Sequence, residues 1–181
     1  PQNGEILAFV SSPDYNLNSF IGPIPYKLWN QWNQNPEKPL MNRGIQGTYP
    51  PGSVIKLISA AYALDNEIVD KSWSVLCNGA YAYGDRTFHC WNTAGHGHVD
   101  IIQSIKYSCN IFYYQLIQKI GFKKWSEIVS QFGFGRRTGI DIPGERRGIV
   151  PTRKYMNDKY TSRGWGKGSL LNLVIGQGDM L

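Results

Sequence analysis

Ser53 and Lys56 stand three residues apart at the head of an apolar stretch, in Tyr49-Pro50-Pro51-Gly52-Ser53-Val54-Ile55-Lys56. On a helix that spacing puts the hydroxyl and the amine on one face, close enough to interact. A serine hydroxyl is a weak nucleophile until a base takes its proton, and a lysine is such a base only when burial or nearby cations lower its pKa. The pair therefore has the makings of an activated nucleophile for covalent acyl transfer. A serine at a helix start is also an ordinary cap, and a chain of this size shows roughly one Ser-x-x-Lys match by chance. The pair gains meaning only from its surroundings.

A second set of reactive side chains lies further on. The three cysteines are Cys77, Cys90 and Cys109, an odd number that one chain cannot fully pair. With one histidine they make a closed Cys3His zinc set. His89 adjoins Cys90, where neighbouring side chains diverge, and His98 lies near a helix start. His96, between two glycines, has the freest backbone. A Cys77 to Cys90 disulfide and buried free thiols are the other uses open to these residues.

The elements that must hold these groups follow from periodicity. Residues 4–10 form a short apolar run that reads as a strand ending at Ser11-Ser12-Pro13. Residues 14–49 are rich in Asn, Pro and Gly and read as an ordered loop with at most short helices, in which Trp29 and Trp32 must pack. Helical pattern runs from Val54 to about Asp65, and residues 73–98 read as an irregular segment or a small hairpin. From Val99 to Ile120 apolar residues recur at helical spacing, broken by Ser108-Cys109-Asn110 and closed by Gly121. A further helix is expected over 123–131. Residues 138–151 carry turn signals, and the short apolar run 170–175 is either strand or helix.

Several of these segments, in this order, resemble the transpeptidase domain of the penicillin-binding proteins. They are Gly4-Glu5-Ile6-Leu7-Ala8-Phe9-Val10-Ser11-Ser12-Pro13, Asn42-Arg43, Tyr49-Pro50-Pro51-Gly52-Ser53 and Ser108-Cys109-Asn110. Gly95-His96-Gly97, Phe132-Gly133-Phe134-Gly135, Thr138-Gly139-Ile140-Asp141 and Ile175-Gly176-Gln177-Gly178 narrow the resemblance to the elongation-type enzymes of class B. The resemblance implies an α+β fold related to the serine β-lactamases, of which this chain holds mostly the helical part. It implies that Ser53 is the acylated nucleophile, Lys56 its base and Ser108 a proton relay. Asn110 then orients Lys56 and donates to a substrate carbonyl. It also implies a zinc site before and within the second motif, although such relatives often have aspartate where Cys77 and Cys90 stand.

The third motif of that family, Lys-Thr-Gly or Lys-Ser-Gly, does not occur. Arg137-Thr138-Gly139 belongs to a different family segment, and Lys167-Gly168-Ser169 has the residues in the wrong order. The expectation is one transpeptidase domain spanning 1–181, cut before the third motif and its C-terminal strands, and inactive alone. By the same resemblance the substrates are peptidoglycan stem peptides ending in D-Ala-D-Ala and the inhibitors are β-lactams. The partner is a glycan-polymerising membrane protein, and the location is the periplasmic side of the bacterial inner membrane.

Composition is compatible with this. The 181 residues are 41% apolar and 18% charged, which suits a globular domain, and no apolar run is long enough to span a membrane. The net charge of +6 suits an anionic partner. Its lysines and arginines are scattered in pairs such as Lys123-Lys124 and Arg146-Arg147, with no cluster beside a recognition helix, so nucleic-acid binding is not expected. The competing readings are a β-lactamase or β-lactam-sensing receptor, which share Ser-x-x-Lys, and a non-catalytic basic zinc module.

Overall fold

The computed structural model describes residues 2–161 and 164–181, which divide into two compact units. The first comprises Pro1–Thr48 and Gly139–Arg146, the second Tyr49–Thr138 and Arg147–Leu181.

In the first unit, residues 4–10 do not form the expected strand. Ile6, Leu7, Phe9 and Val10 are all exposed, and a strand exists only where a neighbour's N–H and C=O groups complete its ladder. No described segment of the chain does so here. The loop that follows contains two short helices, α1 (Tyr26–Gln34) and α2 (Arg43–Gln46). Trp32 is buried and lies parallel to Phe20, with ring centroids 5.6 Å apart and planes 9° from parallel, while Trp29 stays exposed. The Ser11 hydroxyl donates to Met41 O and accepts from Arg43 N–H. The Asn42 side chain caps α2 through Gly44 N–H.

The second unit is built around one helix. A 3-10 turn (Gly52–Val54) leads into α3 (Ile55–Asp65). Two short antiparallel pairs follow, and β1 (Val75–Cys77) pairs with β4 (Gly97–Val99) so that Cys77 faces Gly97. Between them β2 (Ala80–Tyr83) and β3 (Arg86–His89) form a hairpin closed by Gly84-Asp85. The strand β4 runs directly into α4 (Ile101–Lys106), whose start is fixed by a capping box between Asp100 and Gln103.

The next helix, α5 (Asn110–Ile120), is apolar on nearly every face and therefore central. Ile111, Phe112, Tyr113, Tyr114, Leu116, Ile117 and Ile120 are all buried on it. Each such side chain contributes about 1.5–3 kcal/mol by leaving water. They pack on Ile55, Ile58 and Ala63 of α3 and on Trp125 and Val129 of α6 (Phe122–Gln131). Gly121 links α5 to α6 at φ 80°, ψ 153°, a backbone state open essentially to glycine alone. The Trp125 indole N–H donates to the buried Ser59 hydroxyl at 3.1 Å, tying α6 to α3.

The helix α7 (Arg153–Lys159), capped by Thr152, falls in a stretch for which periodicity indicated no helix. The run at 170–175 is helical and belongs to α8 (Gly168–Val174), which buries Leu171, Leu173 and Val174. Among the described residues the architecture is α+β with helices dominant and only four short strands.

Candidate active site and metal cluster

The Ser53 side chain is exposed at the 3-10 turn, and one turn further on Lys56 is buried to 3% exposure. Burial pulls the Lys56 pKa down to about 8, partly opposed by the sulfurs of Cys90 and Cys109. The ammonium lies 2.9 Å from Ser108 O, 3.1 Å from Ser108 Oγ and 2.7 Å from Asn110 Oδ1. Three acceptors match its three protons. Beneath it lies the face of Tyr113, with the ring centroid 5.4 Å from Nζ. Burial pushes the Tyr113 phenol up to about 12, so the ring stays neutral.

The spacing alone suggested a direct contact between Lys56 and Ser53. In the structure the connection runs through Ser108, whose hydroxyl donates to Ser53 Oγ at 2.9 Å. The four residues thus form one hydrogen-bonded line from Ser53 to Ser108 to Lys56 to Asn110. Asn110 is steadied on its other side by a 3.4 Å contact from its amide to His89 O.

Local backbone geometry explains how the second motif reaches Lys56. Helix α4 ends with Ser108 in the left-handed region, at φ 49°. Ser108 N–H bonds to Ile105 O and Cys109 N–H to Ser104 O, the two bonds of a Schellman stop. Glycine normally fills that left-handed position, and a serine there is strained. The Lys56 contact to Ser108 O helps to hold it. The reversal lets Ser108 and Asn110 both reach Lys56, while Cys109 between them joins the sulfur cluster.

That cluster contains all four residues expected of it. Donor atoms of Cys77, Cys90, His96 and Cys109 lie within 4.8 Å of one another. His96 Nδ1 is 3.4 Å from Cys77 Sγ and 3.6 Å from Cys90 Sγ. A tetrahedral ion with Zn–S of about 2.3 Å and Zn–N of about 2.0 Å needs that separation to be about 3.5 Å. The donor set and its spacing therefore fit zinc.

The surroundings favour anionic sulfur at Cys90 and oppose it at Cys109. Helix α5 has no side-chain cap, and its opening N–H groups meet sulfur, those of Asn110 and Ile111 at Cys90 and that of Phe112 at Cys109. Burial works to raise the Cys90 pKa, but N–H donors from Asn110, Asn92 and Ile111 and the Cys77 thiol outweigh it, and the net shift is downward. Burial pushes Cys109 the other way, up to about 12, opposed by the Phe112 N–H.

The cluster has two supports that residue types alone did not reveal. The His96 ring stacks on Tyr107, 5.7 Å away and 4° from parallel, and meets Trp91 at 5.3 Å. Trp91 also donates its indole N–H to Tyr107 O at 2.9 Å, closing the bracket around the imidazole. Their aromatic character next to Cys90 and Ser108 was the available signal. Gly95 is the other support, because a Cβ there would come within 2.2 Å of Cys77 O.

This fold and this serine-lysine-serine-asparagine line define a class, and comparison with known proteins agrees. Residues 1–174 match the model of the penicillin binding protein transpeptidase domain, so the chain belongs to that family. Within it the likeness is to penicillin-binding protein 2, also called MrdA. It is 38% identical over 180 residues to the peptidoglycan D,D-transpeptidase MrdA of Acinetobacter baumannii, covering 98% of this chain and 27% of that protein. The chain thus spans little more than a quarter of the curated relatives it matches. The structure of Pseudomonas aeruginosa PBP2 in complex with WCK 5153 is similar with a TM-score of 0.89 and 34% identity, over 98% of this chain and 40% of that one. Helicobacter pylori PBP2, solved in a complex with MreC, is similar with a TM-score of 0.88 and 32% identity, over 94% of this chain and 32% of that one.

Proposed function

We propose that this chain carries the acylation centre of an elongation-type peptidoglycan D,D-transpeptidase acting on stem peptides that end in D-Ala-D-Ala. The observation that carries this reading is the hydrogen-bonded line from Ser53 Oγ through Ser108 Oγ to Lys56 Nζ. Neutral Lys56 draws a proton from Ser108 as Ser108 takes the Ser53 proton. Ser53 Oγ then bonds to the carbonyl carbon of the penultimate D-alanine. The oxyanion that forms needs N–H donors, and the Ser53 N–H, in the first turn where helical amides lack an internal acceptor, is one candidate. Collapse breaks the C–N bond, and the departing D-alanine amine takes the proton back along the same path. An amine from a second stem then attacks the ester carbonyl and passes its proton to Lys56 through Ser108, and collapse breaks the bond from the carbonyl carbon to Ser53 Oγ as that proton returns to Ser53. A positioned relay of this kind contributes about 10²–10⁴ in rate.

Penicillins, as acylating mimics of the dipeptide, are read as inhibitors at Ser53. We assign Cys77, Cys90, His96 and Cys109 to a structural zinc ion. With four protein ligands it would have no open position, so it supplies rigidity to the second motif and does not activate water. The working location is read as the periplasmic face of the bacterial inner membrane, with a glycan-polymerising membrane protein as partner. The likeness to MrdA, a peptidoglycan transpeptidase, supports that placement. No described helix is long and apolar enough to cross a membrane.

The test uses the full-length protein with a pentapeptide ending in D-Ala-D-Ala and an amine acceptor. D-Alanine release is expected in the parent and its loss in Ser53→Ala, with folding unchanged. Equal release by both would rule the reading out.

A further inference from the structure

Ile175-Gly176-Gln177-Gly178 is one of the distinctive segments that the catalytic line does not use. It lies directly behind the nucleophile turn. Gly176 is buried, and its carbonyl accepts the Gly52 N–H at 3.0 Å. The 3-10 turn that carries Ser53 has no side-chain cap, so this backbone bond is what meets its first N–H. The loop is itself held by the end of α8, through Gly176 N–H to Leu173 O and Gln177 N–H to Asn172 O.

The approach leaves no room for a side chain. A Cβ on Gly176 would sit 2.2 Å from Gly52 O and 2.5 Å from Gly52 N, which real Cβ atoms do not tolerate. The neighbour that would have to move is backbone, one residue before Ser53. Gly176 also has φ +71°, a conformation that strains any other L residue. Gly178 has nearly the same φ, +73°, yet a Cβ there meets only side-chain carbons of Asn172 and Leu173, at 3.5 and 3.8 Å. The two glycines share the backbone strain and differ in what a methyl group would push.

We infer that Gly176 is a positioning residue for the nucleophile. Its bare backbone seats Gly52 so that Ser53 Oγ rests within hydrogen-bonding distance of Ser108. The inference rests on Ser53 being the acylated residue. A methyl group at 176 displaces the turn and lengthens the 2.9 Å contact between the two hydroxyls. A misplacement on the order of 1 Å at a reacting group costs about 10²-fold in rate.

The experiment compares Gly176→Ala and Gly178→Ala in the full-length protein by stopped-flow acylation with a fluorescent penicillin and by thermal melting. Both variants are expected to melt lower, Gly176→Ala the more, because its methyl group meets backbone as well as sharing the strain. Gly176→Ala is expected to lose about ten- to a hundredfold in the first-order acylation constant, with its half-saturating penicillin concentration little changed. Gly178→Ala is expected to stay within about twofold of the parent. Equal acylation losses in the two variants, or a Gly176→Ala effect confined to half-saturation, would overturn the inference. A parent that penicillin does not acylate would overturn the functional reading and this inference together. If Gly176→Ala does not fold, amide exchange of Gly52 in the parent decides. Protection there supports the seat, and exchange at the unprotected rate overturns it.

Discussion

Lys56 Nζ lies 2.7 Å from Asn110 Oδ1 although 54 residues separate them in the chain. The contact joins the first turns of the two helices that form the middle of the second unit. Because α3 and α5 pack along buried faces, the Lys56 amine is placed by the core and not by a flexible loop.

Acylation should depend on pH through Lys56. Its pKa is lowered to about 8 by burial, and the neutral amine is the form that accepts a proton. The acylation constant should therefore rise about tenfold per pH unit below 8 and level off above it. The check is a pH profile of penicillin acylation. A profile that is flat between pH 6 and 8 would remove Lys56 as the base.

Loss of the relay should be severe without loss of fold. Asn110→Ala and Ser108→Ala are each expected to slow acylation by about 10²–10⁴. Ser108→Gly should be as slow but melt at least as high as Ser108→Ala, since glycine adopts the φ of 49° without strain. Acylation kinetics and melting curves on the same preparations separate the two effects. Parental rates in these variants would show that Ser108 does not carry the proton.

Part of this centre was readable from residue types, since the Ser53–Lys56 spacing and the set Cys77, Cys90, His96 and Cys109 carry distinctive chemistry, whereas Ser108 and Asn110 stood out only through the family resemblance. The hydrogen-bonded connection from Ser53 to Lys56 through Ser108 was not readable. It depends on Ser108 occupying a left-handed backbone state, which no serine announces. The apolar run at 4–10 failed as a strand for a related reason: an apolar run states what wants burial, not which neighbour will supply the ladder. The β2–β3 hairpin was only half visible, although Gly84-Asp85 between aromatic alternations is a two-residue hairpin signal. Helix α7 was missed because its seven residues bury only Met156 and so carry almost no periodicity. Gly176 was noticed as part of a resemblance, but its contact with Gly52 is purely tertiary.

Metal removal should act on structure and rate together. Protein purified without chelator is expected to contain about one zinc per chain, the number a Cys3His set takes. After chelation and denaturation, Cys77, Cys90 and Cys109 should all titrate as free thiols. Chelation should lower both the melting temperature and the acylation constant, because Cys109 lies between Ser108 and Asn110, which contact Lys56. No metal and a single free thiol would replace the zinc site with a disulfide.

The link between the two central helices should be sensitive to one methyl group. Gly121→Ala has open space around its Cβ, so any cost comes from the backbone state alone. The expected loss is about 1–3 kcal/mol, read as a lower denaturant midpoint with an unchanged slope. Acylation by the folded fraction should be unaffected. An unchanged midpoint would mean that the α5–α6 link relaxes to another conformation.

The most direct test of the whole account is the position of the β-lactam adduct. The full-length protein is incubated with penicillin, digested, and mapped by peptide mass spectrometry, with Ser53→Ala alongside. The account predicts one long-lived adduct per chain, on the peptide containing Ser53 and absent from the variant. An adduct that persists in Ser53→Ala, or that maps to Ser108 or to any other residue, would contradict it.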